Sequence, residues 1–220
     1  MEGLPPNLMG DLIRAALAED VGSGDVTSES IVPQSTRARA RIVAREPLVL
    51  AGLEVAERVF HAVDTGIACE RLAQDGSCLE RGDVILGVSG PARSILVAER
   101  TGLNFLQRLS GIATMTREFV RRVDGTGAVI LDTRKTTPGW RQLEKYAVRC
   151  GGGRNHRVGL FDRMLVKDNH LAALRGEKPN PVAAAVDRAR ARHPDLKVEV
   201  EADTLEQVEW AVMAGADIIL

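Results

Sequence analysis

After Asp124-Gly125 the sequence settles into strict alternation. Strand "AVIL" (128–131) is followed by a helical pattern around Gly139 to Val148. Strand "RMLV" (163–166), helix Pro181 to Arg192, strand "KVEVE" (197–201), helix Thr204 to Met213 and strand "DIIL" (217–220) follow. Repeated βα units of this length predict a parallel sheet with helices packed against it. An open doubly wound sheet and a closed barrel both satisfy that rhythm. In either one, ligands bind at the carboxyl ends of the strands. Function is therefore to be read from the residues that follow each strand.

The first 124 residues are mixed α and β without regular alternation. An amphipathic helix carries Leu8, Leu12, Ile13, Ala16 and Leu17 on one stripe and stops at Gly22-Ser23-Gly24. In "TRARARIVAREPLVLAG", Arg37, Arg39 and Arg41 alternate with Ala38, Ala40 and Ile42, which is the period of a half-exposed strand. A helical stretch from Glu54 to Val63, short strands at 67–72 and 83–88, and a long helical pattern from Ser94 to about Val123 complete this part. Gly111 lies inside that last pattern and predicts a kink or break. The division expected is residues 1–124 and 125–220.

The predicted rim is densely charged. Asp132, Thr133, Arg134 and Lys135 follow the first strand, Lys167 to His170 the second, and Glu201 and Asp203 lie around the end of the third. "GGGRNHRVGLFD" adds Arg154, His156 and Arg157. A lone cation in such a loop is most often a solvated surface group. Crowded cations repel, however, so several at one edge point to an anion. The guanidinium fork suits carboxylate or phosphate, and Lys adds a compact charge. Glu199 and Glu201 share one strand face: one reading makes a carboxylate a buried counter-ion, the other places Mg²⁺ on Glu201.

Composition and missing motifs exclude much else. Lys plus Arg (29) nearly balance Asp plus Glu (30), so no bulk field would hold a nucleic acid or an anionic membrane. Cys69, Cys78 and Cys150 form no C-x-x-C pair, which argues against a disulfide framework or a zinc site and suits a reducing cytoplasm. No apolar run approaches the ~20 residues of a membrane span, and the first residues lack a signal-peptide pattern. There is no P-loop, no dinucleotide fingerprint and no nucleophile elbow. The glycines of "GTGAVI" precede the strand, the wrong side for a dinucleotide. Gly151-Gly152-Gly153 reads either as a close approach to phosphate or as a plain flexible loop. The alternating arginines lack interleaved aromatics and read as a solvated face or a dimer contact.

Five segments together resemble the quinolinate phosphoribosyltransferase family: "EDVGSGDVTS" (19–28), "AERTGLNFLQRLSGIAT" (98–114), "DTRKTTPGWRQLEKYAVRCGGGRNHRVGLFD" (132–162), "VKDNH" (166–170) and "VEVEADTLEQ" (198–207). The resemblance implies an α/β fold, an N-terminal α/β sandwich domain followed by an incomplete parallel α/β barrel. It implies that quinolinate and phosphoribosyl pyrophosphate react, with Mg²⁺, to nicotinate mononucleotide, carbon dioxide and pyrophosphate. It places Arg134, His156 and Arg157 on the quinolinate carboxylates, and Lys135 and Lys167 between quinolinate and the donor. Thr133 would line the same pocket. Glu201 would contact ribose hydroxyls or the Mg²⁺-bound donor, and with Lys135 and Lys167 forms the expected catalytic set. Arg100 would reach in from the partner of a homodimer with shared sites; the alternative for Arg100 is an ordinary pairing with Glu99 or another nearby acid.

The family pattern continues past "DIIL" with further strands, so the expectation is a longer parent chain. A paralogue of the same fold associated with molybdenum transport, and a non-catalytic anion-binding module, are the alternatives to the enzyme.

Overall fold

The computed structural model describes residues 6–220. Contacts group them into two compact units, one running to His156 and the other Arg157–Leu220.

The first unit holds α1 (Pro6–Val21), α2 (Val26–Ile31), β1 (Arg37–Val43), β2 (Leu48–Val49), α3 (Leu53–Val63), β3 (Ala68–Arg71), β4 (Cys78–Leu79), β5 (Val84–Pro91), α4 (Ala92–Arg122) and α5 (Arg141–Cys150). The strands form an antiparallel sheet in the order β1-β5-β3, beside a β2-β4 pair. In β1, Arg37, Arg39 and Arg41 are exposed and Ala38 and Ile42 pack on the core, but Ala40 is exposed as well, so the expected alternation holds at every position except Ala40. On α1, Met9 and Ile13 are buried and Leu12, Ala16 and Leu17 lean on the core. The Leu8 side chain lies outside the described residues.

The helix at 26–31 gave no apolar stripe to read. It is set by Asp25, whose Oδ1 accepts from the N–H groups of Thr27 (3.1 Å) and Ser28 (3.0 Å) and satisfies two donors that the first turn cannot pair. At α3 the cap residue is Gly52, which has no side chain to offer. Asp75, from a distant loop, accepts instead from Gly52 N and Leu53 N, both at 3.1 Å, and from Tyr146 Oη at 2.7 Å.

α4 runs unbroken through Gly111, against the expected break. Its buried positions Ile95, Ala98, Phe105, Leu109 and Ala113 keep the three-and-four spacing that seats the helix on the core, and Gly111 faces solvent. Packing on both sides of a glycine outweighs the ~1 kcal/mol that its backbone freedom costs.

The run "AVIL" forms no strand. Leu131 makes one parallel bridge with Arg154: Arg154 N donates to Ile130 O at 2.9 Å and Asp132 N to Arg154 O at 3.1 Å. Among the described residues Arg154 alone bridges the run, so the ladder does not propagate. Val129 and Leu131 stay exposed.

The second unit is a parallel sheet, β6 (Met164–Val166), β7 (Val198–Val200) and β8 (Ile218–Ile219), in that order. Its helices are α6 (Asp168–Ala173), α7 (Pro181–Arg192) and α8 (Leu205–Met213). Val166, Val198 and Val200 from the sheet bury against Val182, Val186 and Ala211 of the helices. Asn180 caps α7 by accepting from Ala183 N (2.9 Å), and Thr204 caps α8 by accepting from Gln207 N (3.2 Å). This is the α/β alternation read from the sequence.

The glycine triplet has a packing reason that neither sequence reading supplied. A Cβ on Gly151 would lie 2.4 Å from the Ala113 carbonyl oxygen and 2.6 Å from Thr116 Cβ; one on Gly153 would lie 2.8 Å from Val148 Cγ1. The loop needs bare backbone because α4 and α5 crowd it. Gly151→Ala, at an ordinary helical φ of −72°, should therefore destabilise the protein by about 1–3 kcal/mol in denaturant titration, through overpacking alone. An unchanged midpoint would show that the loop can move away from α4.

Candidate functional site

Each predicted strand end delivers its side chains to a different set of partners. In the first unit the organising group is Asp132, which follows the Leu131 bridge. Its Oδ1 accepts from Lys145 Nζ at 2.5 Å and from the His156 N–H at 2.8 Å. Lys145 lies on α5 with a side chain 1% exposed, and its Nζ also donates to the His156 carbonyl at 3.0 Å. With its amide nitrogen turned toward acceptors, Asn155 donates to Asp132 Oδ2 at 2.9 Å and to the Lys145 carbonyl at 3.0 Å. A buried carboxylate and a buried ammonium thus satisfy each other and the main chain of one neighbouring segment.

Thr133 and Lys135 line a cleft of about 180 Å³ together with Arg108, Asp132, Thr136 and Glu144. Thr133 Oγ1 accepts from Lys135 N at 3.0 Å, which tightens the turn and leaves the Lys135 side chain exposed. Arg134 is half-buried, and its Nε has no hydrogen-bond partner among the described residues. Arg141 steadies the same loop from α5, donating to Thr136 Oγ1 (3.2 Å) and the Arg134 carbonyl (3.4 Å). Arg108 of α4 bridges Glu144 (3.0 Å) and Thr137 Oγ1 (3.2 Å). Burial works to raise the Glu144 pKa, but the bonds from Thr137 and Arg108 outweigh it and hold the carboxyl below its usual range. A larger hollow of about 600 Å³ between α4 and the β1, β2 and β4 segments contains none of the residues nominated from sequence.

In the second unit, Lys167 and Glu201 emerge from the carboxyl ends of the adjacent strands β6 and β7. Lys167 Nζ donates to Glu201 Oε2 at 2.8 Å, with both side chains more than a third exposed. His170 Nδ1 accepts from Lys167 N at 2.8 Å, which puts the proton of the neutral ring on Nε2 and fixes the start of α6. Glu199 is 3% exposed and lies 3.6 Å from Arg163 Nη1, so it is the buried counter-ion of the strand face. Arg157 is buried and donates from Nη1 to the Arg163 carbonyl at 3.4 Å.

Thr133 and Lys135 thus share one cleft, His156 hangs on Asp132, and Lys167 meets Glu201. Arg100 joins none of these. It is exposed on α4, and neither Glu99 nor any other described acid pairs with it. Among the described residues, no three His, Cys, Asp or Glu side chains gather where they could hold a metal ion. Sequence reasoning missed Lys145, Asn155, Arg141 and Arg108. Periodicity gave no signal for Lys145, which lies across a short helix from Leu143 and Ala147; the available hint was a lysine 13 residues after an aspartate that ends an apolar run.

Residues 25–110 match the N-terminal domain model of quinolinate phosphoribosyl transferase, and residues 112–220 the C-terminal domain model. A probable nicotinate-nucleotide pyrophosphorylase (carboxylating) of Bacillus subtilis is 45% identical over 95% of this chain and 71% of its own length. The corresponding Mycobacterium leprae protein is 46% identical over 96% of this chain and 73% of its own. The crystal structure of the Streptococcus pyogenes NadC protein superposes with a TM-score of 0.92 at 43% identity, over all of this chain and 76% of that one.

The two kinds of cation here predict different costs. Lys145→Met strands a buried carboxylate and should remove about 3–5 kcal/mol of stability. Lys167→Met breaks a pair that solvent already screens and should change stability by less than about 1 kcal/mol. Denaturant titration of both variants checks the contrast, and equal losses would mean that Lys167 is also part of the fold's support.

Proposed function

Because this chain belongs to the quinolinate phosphoribosyltransferase family, we propose that its strand-end cations bind the two substrates of that reaction. The chain is a decarboxylating pentosyltransferase of NAD biosynthesis, converting quinolinate and phosphoribosyl pyrophosphate to nicotinate mononucleotide, carbon dioxide and pyrophosphate. The observation that carries the assignment of roles is Lys167 on Glu201 at adjacent strand ends. A cation held by a half-exposed acid can exchange that partner for a substrate anion without leaving a buried charge behind.

In this reading Arg134, His156 and Arg157 receive the quinolinate carboxylates. The buried, unpartnered Nε of Arg134 supports its part, since an anion would supply the missing acceptor. Lys135 and Lys167 serve quinolinate and the donor, and Thr133 lines the pocket. Glu201 takes the ribose hydroxyls or the Mg²⁺-bound donor. The pyridine nitrogen attacks the anomeric carbon while pyrophosphate departs with the electrons of the C–O bond, and fixed cations stabilise that charge. The nitrogen becomes cationic. The bond to the 2-carboxylate then breaks, its electrons stay on the adjacent ring carbon, and a proton replaces the lost carbon dioxide.

Magnesium, bound through the donor's phosphates, would supply further charge neutralisation of the leaving group. Glu201, a partly exposed strand-end carboxylate, with no cluster of three protein ligands among the described residues, fits an ion held mainly by substrate oxygens. We read the parallel sheet as part of an α/β barrel domain beginning at residue 125 and preceded by an α/β sandwich domain, while contacts group the residues up to His156 with the first unit. The three cysteines are free, which suits a reducing cytoplasm. Among the described residues no helix is long and apolar enough to cross a membrane.

The test is to supply quinolinate, phosphoribosyl pyrophosphate and Mg²⁺ and to follow products by mass spectrometry. Nicotinate mononucleotide should appear with one carbon dioxide each. Binding of quinolinate without carbon dioxide release would favour a non-catalytic anion-binding module, and inertness toward quinolinate the molybdenum-associated paralogue.

Arg100 serves the partner's site in a two-fold homodimer. Its support is an exposed guanidinium on α4 that pairs with no acid among the described residues. Mixing inactive Arg100→Ala with inactive Lys167→Ala subunits creates one intact site per mixed dimer, so activity should return to roughly a quarter of wild type at random pairing. No return of activity, once subunit exchange is demonstrated, would remove Arg100 from the partner's site.

A further inference from the structure

The Asp132–Lys145 pair is an expensive way to hold a fold together. Two charges have been taken out of water at a cost that their attraction only partly offsets, and apolar side chains of similar volume commonly stabilise as well or better. What an apolar pair lacks is the ability to bond the main chain. Here Asp132 Oδ1 takes the His156 N–H (2.8 Å) and Lys145 Nζ takes the His156 carbonyl (3.0 Å), so both main-chain polar groups of one residue are bound by one ion pair. Asn155 adds a bond to the other Asp132 oxygen at 2.9 Å. Asp132 is itself the residue before Thr133, Arg134 and Lys135, and its own N–H is tied to the Arg154 carbonyl at 3.1 Å.

We infer that Asp132 and Lys145 are positioning residues for quinolinate: their buried pair fixes the distance between the 133–135 segment and His156, two segments that read the same dicarboxylate. The inference rests on the assignment of Arg134, Lys135 and His156 to that substrate. Neither Asp132 nor Lys145 touches substrate in this scheme. The side chains can adjust their own torsions, but the main chains from which they spring stay in register. A dicarboxylate with fixed separation between its charges needs that register, and a flexible donor phosphate does not.

The experiment measures quinolinate and phosphoribosyl pyrophosphate affinities by calorimetry, with melting temperatures, for three variants. Asp132→Asn/Lys145→Met removes both charges and leaves none stranded, but it loses the bond to the His156 carbonyl and one of the two acceptors that Asp132 offers to His156 N and Asn155. It should melt near wild type while quinolinate binds at least about tenfold more weakly and the donor changes by less than about threefold. Unchanged quinolinate affinity, or equal weakening of both substrates, would overturn the inference, because a purely structural pair predicts one of those two results.

If the double variant does not fold, Asn155→Ala decides. It deletes the bonds from Asn155 to Asp132 Oδ2 and to the Lys145 carbonyl at a partly exposed position and should weaken quinolinate alone, by about three- to tenfold. Wild-type affinity there would overturn the inference. The third variant, Arg134→Ala, separates the positioning claim from the assignment beneath it. If it leaves quinolinate binding intact, the substrate assignment fails and the inference goes with it. If it weakens quinolinate while the pair variants do not, only the positioning claim fails.

Discussion

A buried carboxylate must find donors, and Asp132 finds its donors in α5, in His156 and in Asn155. That requirement organises the first unit's functional loops. Leu143, Ala147 and Cys150 seat one side of α5 on the core that α4 also covers, and Lys145, two residues from Leu143 and from Ala147, is buried on the opposite side of the helix, where it meets Asp132. α5 is held there from several directions. Trp140 stacks on Phe105 of α4 with ring centroids 4.9 Å apart, and Tyr146 donates to Asp75, which caps α3. The same carboxylate that orders the catalytic-looking loop is thus connected, through one short helix, to the hydrophobic core.

The parallel sheet solves a similar problem more cheaply. Its strand-end groups Lys167 and Glu201 are partly solvated, so they pair without a large desolvation cost and keep their freedom to rearrange. Glu199, two residues earlier on the same strand face, is buried beside Arg163. Position along the strand, inside β7 for Glu199 and just past its end for Glu201, separates a buried carboxylate from a partly exposed one. The chain thus holds one buried ion pair bonded to the main chain, Asp132–Lys145, and one partly exposed pair, Lys167–Glu201.

Most of the architecture was legible because hydrophobic periodicity reports burial directly. β1, β5, β6 and β7, and helices α3, α7 and α8, lie where the pattern placed them within a few residues. "AVIL" misled because burial pattern does not supply a ladder partner, and among the described residues Arg154 alone bridges Leu131. Gly111 misled because local propensity is weak against the packing of a 31-residue helix. The short helix at 26–31 was invisible because a cap, not a stripe, makes it. In the site, Lys167 and Glu201 could be read from their places after strands. Lys145 could not, since its role depends on which face of α5 is buried and on what approaches that face from a residue 13 positions away.

The central claim is that this protein recognises a pyridine by two carboxylates held against guanidinium, imidazole and ammonium groups. Comparing quinolinate with nicotinate, which keeps the ring and one carboxylate, isolates that feature. Removing a carboxylate forfeits a charge-assisted contact of about 1.5–3 kcal/mol, so nicotinate should bind roughly ten- to a hundred-fold more weakly than quinolinate in direct titration. Equal affinity for the two would contradict the account, because it would mean that the second carboxylate meets no cation at all.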